Sequence, residues 1–132
     1  MSSIFTNIIN GEIPSYKVAE NDEFFAFLDI NPLTEGHVLV IPKKEIDYIF
    51  DIDNDLYARF FVFAKALAKA IEKVIKCERI GISVVGLEVP HAHIHLIPIN
   101  NVEDMSFTKQ RVKMSSESMA GLAQSISSAF RS

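Results

Sequence analysis

The chain has 132 residues, a hydrophobic content of 48%, a charged content of 23% and a net charge of −4 at pH 7. These values are typical of one soluble globular domain that is long enough to bury a core. The acidic balance argues against polymeric nucleic acid as the main partner, because binding to a phosphate backbone needs a basic surface. The longest apolar stretches are also too short to span a bilayer, so we expect no membrane partner.

The cysteine content and the first residues bear on location. Cys77 is the single cysteine of the sequence, so no intrachain disulfide can form. The start, Met1-Ser-Ser-Ile-Phe-Thr6, lacks the basic residues and the apolar run of a secretory signal. We therefore expect a protein of the reducing cytoplasm.

The first part of the chain predicts a short helix followed by strands. Apolar residues and a stop at Gly11 and Pro14 indicate one or two helical turns. Three apolar or β-branched runs are typical of strands, and the first two are joined by a turn over residues 20–22. The predicted elements are a helix over Ile4–Ile9 and strands over Tyr16–Ala19, Phe24–Leu28 and His37–Ile41.

The second part predicts a long helix, two strands and a final helix. The long helix is capped by Asp53 or Asn54 and carries apolar residues at steps of three and four. That apolar stripe comprises Leu56, Phe60, Phe63, Leu67, Ile71 and Val74. The later elements are a strand over Ile80–Val85, a loop over Gly86–Pro90, a histidine-bearing strand ending at Pro98 and a helix over Ser115–Phe130. This order predicts an α+β domain with one mainly antiparallel sheet and a long helix packed on it.

Three of the four histidines stand at alternate positions in the segment Pro90-His-Ala-His-Ile-His-Leu-Ile-Pro98. Because side chains of a strand alternate between its two faces, the sequence predicts that His91, His93 and His95 project from one face. Three titratable rings on one surface are poor packing material, so a binding or catalytic site is expected there.

Three explanations of this pattern remain open. Structural histidines would each need a hydrogen-bond partner of their own. A metal site would need a third ligand from His37, Cys77 or a carboxylate, because the outer rings are too far apart to share one ion easily. Covalent catalysis would use the central His93 to attack phosphorus, with one neighbouring ring orienting it and the other donating a proton. The spacing favours the third explanation.

The segment His91-Ala-His-Ile-His-Leu-Ile97 resembles the signature of the histidine triad (HIT) nucleotide hydrolases and transferases. Three further blocks resemble family blocks in the same order, and the resemblance covers about residues 4–98. These blocks are Ile4–Pro14, Phe25–Pro32 and Gly36–Lys44. The resemblance implies a single HIT domain over residues 1–132, in which a C-terminal extension carries the last helix, about 115–130.

The resemblance also implies a fold, a partner and a reaction. The fold would be the HIT α+β fold, which usually forms a homodimer with one continuous sheet and needs no cofactor here. The substrate would be a purine nucleotide conjugate, of the phosphoramidate or dinucleoside polyphosphate type, attacked at the α-phosphorus. His93 would be the nucleophile and carry the nucleotidyl group, His91 would orient it, and His95 would contact the phosphate.

The same resemblance assigns residues to nucleotide binding. Asp29 would accept hydrogen bonds from the ribose hydroxyls, although a turn-capping role competes with this. The backbone N–H groups of Glu88 and Val89 would hold the phosphate. The base pocket would be lined by Ile4, Phe5, Ile8, Phe27 and Ile30.

The chain departs from the family pattern at four positions. Glu45 stands where many members have a fourth histidine, and we expect it to be an exposed residue at a helix start. Ser3 and Thr6 match the cysteines of members with a structural zinc, so we predict no metal. Leu87 stands where members often have glutamine. These departures keep open an alternative, a nucleotide-sensing or partner-binding module with little turnover. His37 is expected to be structural.

Overall fold

Five antiparallel strands form one sheet in the computed structural model, which describes residues 2–131. Their spatial order is β1-β2-β3-β5-β4. The strands are β1 (Lys17–Glu20), β2 (Phe24–Leu28), β3 (Val38–Pro42), β4 (Arg79–Ser83) and β5 (Ile94–Ile99). The helices are α1 (Ile4–Ile9), α2 (Asn54–Val74) and α3 (Ser116–Arg131), with short 3-10 helices at Ile49–Asp51 and Val102–Met105.

Both faces of the sheet are covered at its centre. Every residue of β2 and β3 is buried, because alternate side chains enter two separate apolar clusters. On one face Phe24 stacks on Phe60 of α2, with 5.4 Å between the ring centroids. On the other face Phe27 meets Phe5 of α1 at 5.6 Å, edge to face. The sheet therefore separates a large core under α2 and α3 from a smaller one under α1.

Local sequence signals account for the ends of the elements. The Asp53 carboxylate accepts the Leu56 N–H at 2.9 Å, so Asp53 is the cap of α2. The amide oxygen of Asn21 accepts the N–H groups of Glu23 and Phe24 and closes the turn between β1 and β2. No helix within residues 2–131 has the length and apolarity that crossing a membrane requires.

The predicted α+β architecture is confirmed, and its element boundaries differ by one or two residues in most cases. The largest difference concerns the histidine strand, since β5 begins at Ile94 and not at His91. Ahead of it the Ala92 N–H bonds to the Ile46 carbonyl, and the His91 N–H bonds back to the Val89 carbonyl. His91 and His93 therefore lie in the irregular segment that leads into β5.

Candidate functional site

A cavity of about 530 Å³ opens on the α1 side of the sheet. Its volume lies in the range of small-molecule sites. His93 and His95 line it together with the end of β2, the loop before the histidines and part of the C-terminal segment. All eight residues predicted to bind nucleotide also line it: Ile4, Phe5, Ile8, Phe27, Asp29, Ile30, Glu88 and Val89. The fold thus gathers them, while their roles stay predictions.

His93 presents a bare ring nitrogen. Its Nδ1 lies 2.8 Å from the backbone oxygen of His91. Because a carbonyl oxygen only accepts, Nδ1 carries the proton and Nε2 keeps its lone pair. Burial lowers the pKa of this imidazole and keeps the lone pair free at neutral pH. The Phe5 ring packs edge to face on the imidazole, with 4.9 Å between the centroids.

His95 presents the opposite group, an N–H donor. The Leu33 N–H donates to His37 Nδ1 at 3.0 Å, so the proton of neutral His37 is on Nε2. That Nε2 lies 3.0 Å from His95 Nδ1 and donates to it. The proton of neutral His95 is therefore on Nε2, the ring nitrogen that this relay leaves for a ligand. We call the path from Leu33 N–H through His37 to His95 the histidine relay.

Burial is also what keeps the histidine relay neutral. It lowers the pKa of His37 to about 3, and the neighbouring His95 acts in the same direction. Burial likewise lowers the pKa of His95 to about 3, with His93 adding to the effect. Both rings are uncharged at pH 7, so the donor facing the cavity is a neutral imidazole.

His91 is fully buried and does not line the cavity, so of the three rings expected on one binding surface only His93 and His95 reach it. Its Nε2 donates to the Pro42 carbonyl at 2.7 Å, and its Nδ1 accepts the Ser3 hydroxyl at 2.7 Å. The alternation of faces itself holds, since Ala92 and Ile94 lie in the core under α2. His91 lies outside the cavity because Ser3 and Phe5, at the start of α1, cover its ring.

A polar network joins α1 to His91. The Glu45 carboxylate accepts the Ser3 N–H at 2.7 Å and the Thr6 hydroxyl at 2.5 Å. The Ser3 hydroxyl in turn accepts the Thr6 N–H at 3.1 Å and caps α1. The bond from Ser3 is the main reason that the pKa of Glu45 is lowered. The expectation that Glu45 begins a helix is wrong, because it lies in the connection after β3 and holds the start of α1.

Asp29 has one hydrogen-bond partner and one close neighbour at the end of β2. One carboxylate oxygen accepts the Asn31 N–H at 2.8 Å, which is the turn-capping role. The other oxygen lies 3.6 Å from His37 Nε2. Burial raises the pKa of this carboxyl group. Asp29 therefore supports the turn and also lines the cavity beside the histidine relay.

Asp29, His37 and His95 also bring three potential metal-ligand atoms within 4.8 Å of one another. The hydrogen bond from His37 to His95 accounts for the approach of the two rings without an ion. An ion bound between them would have to replace the proton that His37 donates.

Three residues near the site were not predicted from the sequence. His37, expected to be structural, is the middle of the histidine relay. Phe107 and Arg111 line the cavity from the C-terminal segment, for which the sequence predicted no role. The Arg111 side chain donates to the backbone oxygen of Asn31 at 2.6 Å, 80 residues away in the sequence. No periodic pattern signals a contact of that separation.

Comparisons with known proteins identify one family. The family model of the HIT domain matches residues 10–102. An uncharacterized HIT-like protein of Borreliella burgdorferi is 42% identical over 102 residues, which are 72% of this chain and 73% of that protein. An adenosine 5′-monophosphoramidase of Schizosaccharomyces pombe is 34% identical over 134 residues, covering 99% of this chain and 100% of that protein. A Zn-bound histidine triad family protein from Mycobacterium smegmatis has a similar structure, with a TM-score of 0.84 at 26% identity over 99% of this chain and 94% of that one.

Replacing Ser3 tests the network between α1 and His91. Ser3→Ala removes the cap of α1 and leaves the buried Nδ1 of His91 without its donor. We expect the free energy of unfolding to fall by about 1–3 kcal/mol, as measured by urea denaturation. The neighbouring exposed serine supplies the control, and Ser2→Ala should change the stability little. Equal effects of the two substitutions would contradict the network.

The low pKa values of the buried histidines predict how stability depends on pH. Above about pH 6.5 the histidines are neutral in both the folded and the unfolded chain. Below about pH 6.5 the histidines of the unfolded chain become protonated. In the folded chain His37 and His95 stay neutral until the pH approaches their pKa of about 3. The free energy of unfolding should therefore fall from pH 7 to pH 5, by up to about 1.4 kcal/mol per pH unit for each such histidine.

Urea denaturation at several pH values measures this slope. His37→Gln keeps an N–H donor near His95 but does not titrate, so its slope should be shallower than that of the unmodified protein. Identical slopes for the two proteins would contradict the assignment of a depressed pKa to His37.

Proposed function

Because the chain belongs to the HIT domain family, we propose that it is a nucleotide hydrolase acting on purine nucleoside phosphate conjugates at the α-phosphorus. The observation that carries the proposal is the pair of opposite tautomers at the cavity. His93 offers a lone pair and His95 offers an N–H donor, with 4.9 Å between their ring centroids. Nucleophilic attack on phosphorus needs one group of each kind.

The proposed reaction has two balanced steps. In the first, the Nε2 lone pair of His93 forms a bond to phosphorus, and the bond to the leaving nitrogen or oxygen breaks. The leaving group takes its electron pair and a proton from solvent, while the Nε2–H of His95 donates a hydrogen bond to it. The His95 ring stays neutral, and the His91 carbonyl offsets the positive charge of the nucleotidyl-His93 ring. In the second step water attacks phosphorus, its proton passes to solvent, and the electron pair of the nitrogen–phosphorus bond returns to His93.

The other residues would hold the nucleotide and position the nucleophile. The His91 carbonyl fixes the proton on His93 Nδ1 and stabilises the ring when it becomes positive. Asp29 would accept the ribose hydroxyls, and apolar side chains from α1 and β2 would enclose the base. The backbone N–H groups of Glu88 and Val89 would hold the phosphate. The name of the fission yeast relative, an adenosine 5′-monophosphoramidase, supports a phosphoramidate as the first substrate to assay.

An alternative is a nucleotide-binding module with little turnover. The loop over residues 84–90 favours it, since Leu87 is 88% exposed at the cavity mouth and offers no polar side chain to a phosphate. Isothermal titration with AMP beside a phosphoramidate turnover assay separates the two functions. Tight binding of AMP without turnover would support the nucleotide-binding module. Elemental analysis of protein purified without added metal tests whether Asp29, His37 and His95 hold an ion.

Substitution of His93 tests the enzyme. His93→Asn removes the attacking nitrogen, so turnover of adenosine 5′-phosphoramidate should fall by at least about 10³-fold. AMP binding and the melting temperature should stay close to those of the unmodified protein, because His93 does not belong to the core under α2. Full activity of the variant would overturn the covalent mechanism.

We also propose that the protein is a homodimer that pairs through an edge of its sheet. Its proposed location is the cytoplasm. β4 is an edge strand of the sheet, and its Ile82 is 50% exposed. Pairing of β4 with its copy would extend the sheet across a two-fold axis. Ile82→Lys should then yield monomers in light scattering, whereas Val62→Lys, at an exposed position of α2 beside the turn between β1 and β2, should not. A monomeric unmodified protein would exclude this assembly.

A further inference from the structure

The charges that line the cavity do not by themselves favour an anionic ligand. Among the lining residues that the structure describes, Asp29 and Glu88 are acidic and Arg111 is the one cation of fixed charge. His93 and His95 are neutral at pH 7, because burial lowers the pKa of both. A phosphate entering this cavity meets two carboxylates, so Arg111 is the group that can compensate its charge.

Arg111 is held in place by the loop after β2. Its Nη1 donates to the Asn31 carbonyl at 2.6 Å, and the N–H of the next residue, Val112, donates to the Pro32 carbonyl at 2.9 Å. These two bonds fix the C-terminal segment against the rim of the cavity. The guanidinium therefore needs little ordering when a ligand binds.

The guanidinium keeps unused donors. A guanidinium has five N–H donors in a planar fork, and the bond to Asn31 uses one of them. Within residues 2–131 no carboxylate oxygen lies within 4.0 Å of it. A fork with free donors matches the paired oxygens of a phosphate.

Arg111 is linked to the reacting histidines through Phe107. Its guanidinium carbon lies 5.8 Å from the centre of the Phe107 ring. That ring packs edge to face on His95, with 4.9 Å between the centroids. Phe107 thus contacts both His95 and Arg111, and its ring offers no polar group to a phosphate. A phosphate attacked by His93 and bonded by His95 would leave Arg111 for a group farther along the substrate.

We propose that Arg111 binds a second anionic group of the substrate and selects conjugates that carry one. The proposal rests on the function proposed above. The second group has the chemistry of a phosphate, and two parts of a nucleotide can supply it. It belongs either to the leaving group, as in a phosphoanhydride, or to a ribose hydroxyl. The ribose side is possible because Arg111 donates to the Asn31 carbonyl and the Asn31 N–H donates to Asp29, the residue proposed to bind the ribose.

Calorimetric titration with three ligands tests the proposal, in the absence of divalent cations. AMP carries one phosphate, ADP adds one on the leaving-group side, and adenosine 3′,5′-bisphosphate adds one on the ribose. We expect one of the two bisphosphates to bind about tenfold or more tightly than AMP. A gain with ADP assigns the leaving-group side, and a gain with adenosine 3′,5′-bisphosphate assigns the ribose side.

Variants connect that gain to Arg111. Arg111→Gln should abolish the gain, so that neither bisphosphate binds the variant more tightly than AMP does. Lys113→Gln removes the same charge from an exposed position two residues away, outside the cavity lining, and should keep the gain. Arg111→Lys should keep only part of it, because an ammonium group lacks the planar fork. If melting curves show that Arg111→Gln is unfolded, Arg111→Lys is the variant that tests the proposal.

The outcomes separate this inference from the function on which it rests. AMP binding without a gain from either second phosphate overturns the inference alone. So does an equal loss of affinity for all three ligands in Arg111→Gln, or the same loss of the gain in Lys113→Gln. A complete failure of the unmodified protein to bind AMP overturns the proposed function, and the inference with it.

Discussion

Hydrogen bonds between imidazoles and peptide groups decide which ring nitrogen each histidine presents. The Leu33 N–H fixes the tautomer of His37, and His37 fixes that of His95. The His91 carbonyl fixes the tautomer of His93. Peptide groups cannot exchange the roles of donor and acceptor, so the assignment holds as long as the rings stay neutral. Two identical side chains thereby present a lone pair and an N–H donor to the same cavity, which are the two groups that the proposed attack on phosphorus requires.

Burial of the sheet on both faces makes this arrangement possible. A half-exposed antiparallel sheet would leave the histidines in water, where their pKa values would lie near the ordinary value. Here α1 covers the second face through the contacts of Phe5 with His91 and His93. The same covering depends on Glu45, which joins the start of α1 to the segment after β3. One helix of six residues thus connects packing, tautomer and ring charge.

Much of the fold follows from local patterns, and much of the site does not. The spacing of apolar residues in α2 and the alternation around His93 are local, so the sequence predicts the long helix and the two faces of the histidine segment. The start of β5 depends on where the Ala92 N–H finds its acceptor, which local pattern does not show. The same limit applies to Glu45, which meets Ser3 across 42 residues, and to Arg111, whose partner lies 80 residues away. Such contacts are properties of the assembled fold.

The histidine relay begins at a peptide N–H, that of Leu33. The length of the loop between β2 and β3 therefore matters more to the relay than the side chains of that loop. Any residue except proline at position 33 supplies the same donor, so the side chains of residues 31–35 can diverge without changing the relay. A deletion or insertion there would move the donor away from His37 Nδ1. The proton of His37 could then shift to Nδ1, and His95 would lose its donor and present an acceptor to the cavity. Gly36 helps to keep this loop in its conformation. Its φ is +95°, and a Cβ atom at this position would lie 2.9 Å from the Ile75 side chain, so a larger residue would move the loop.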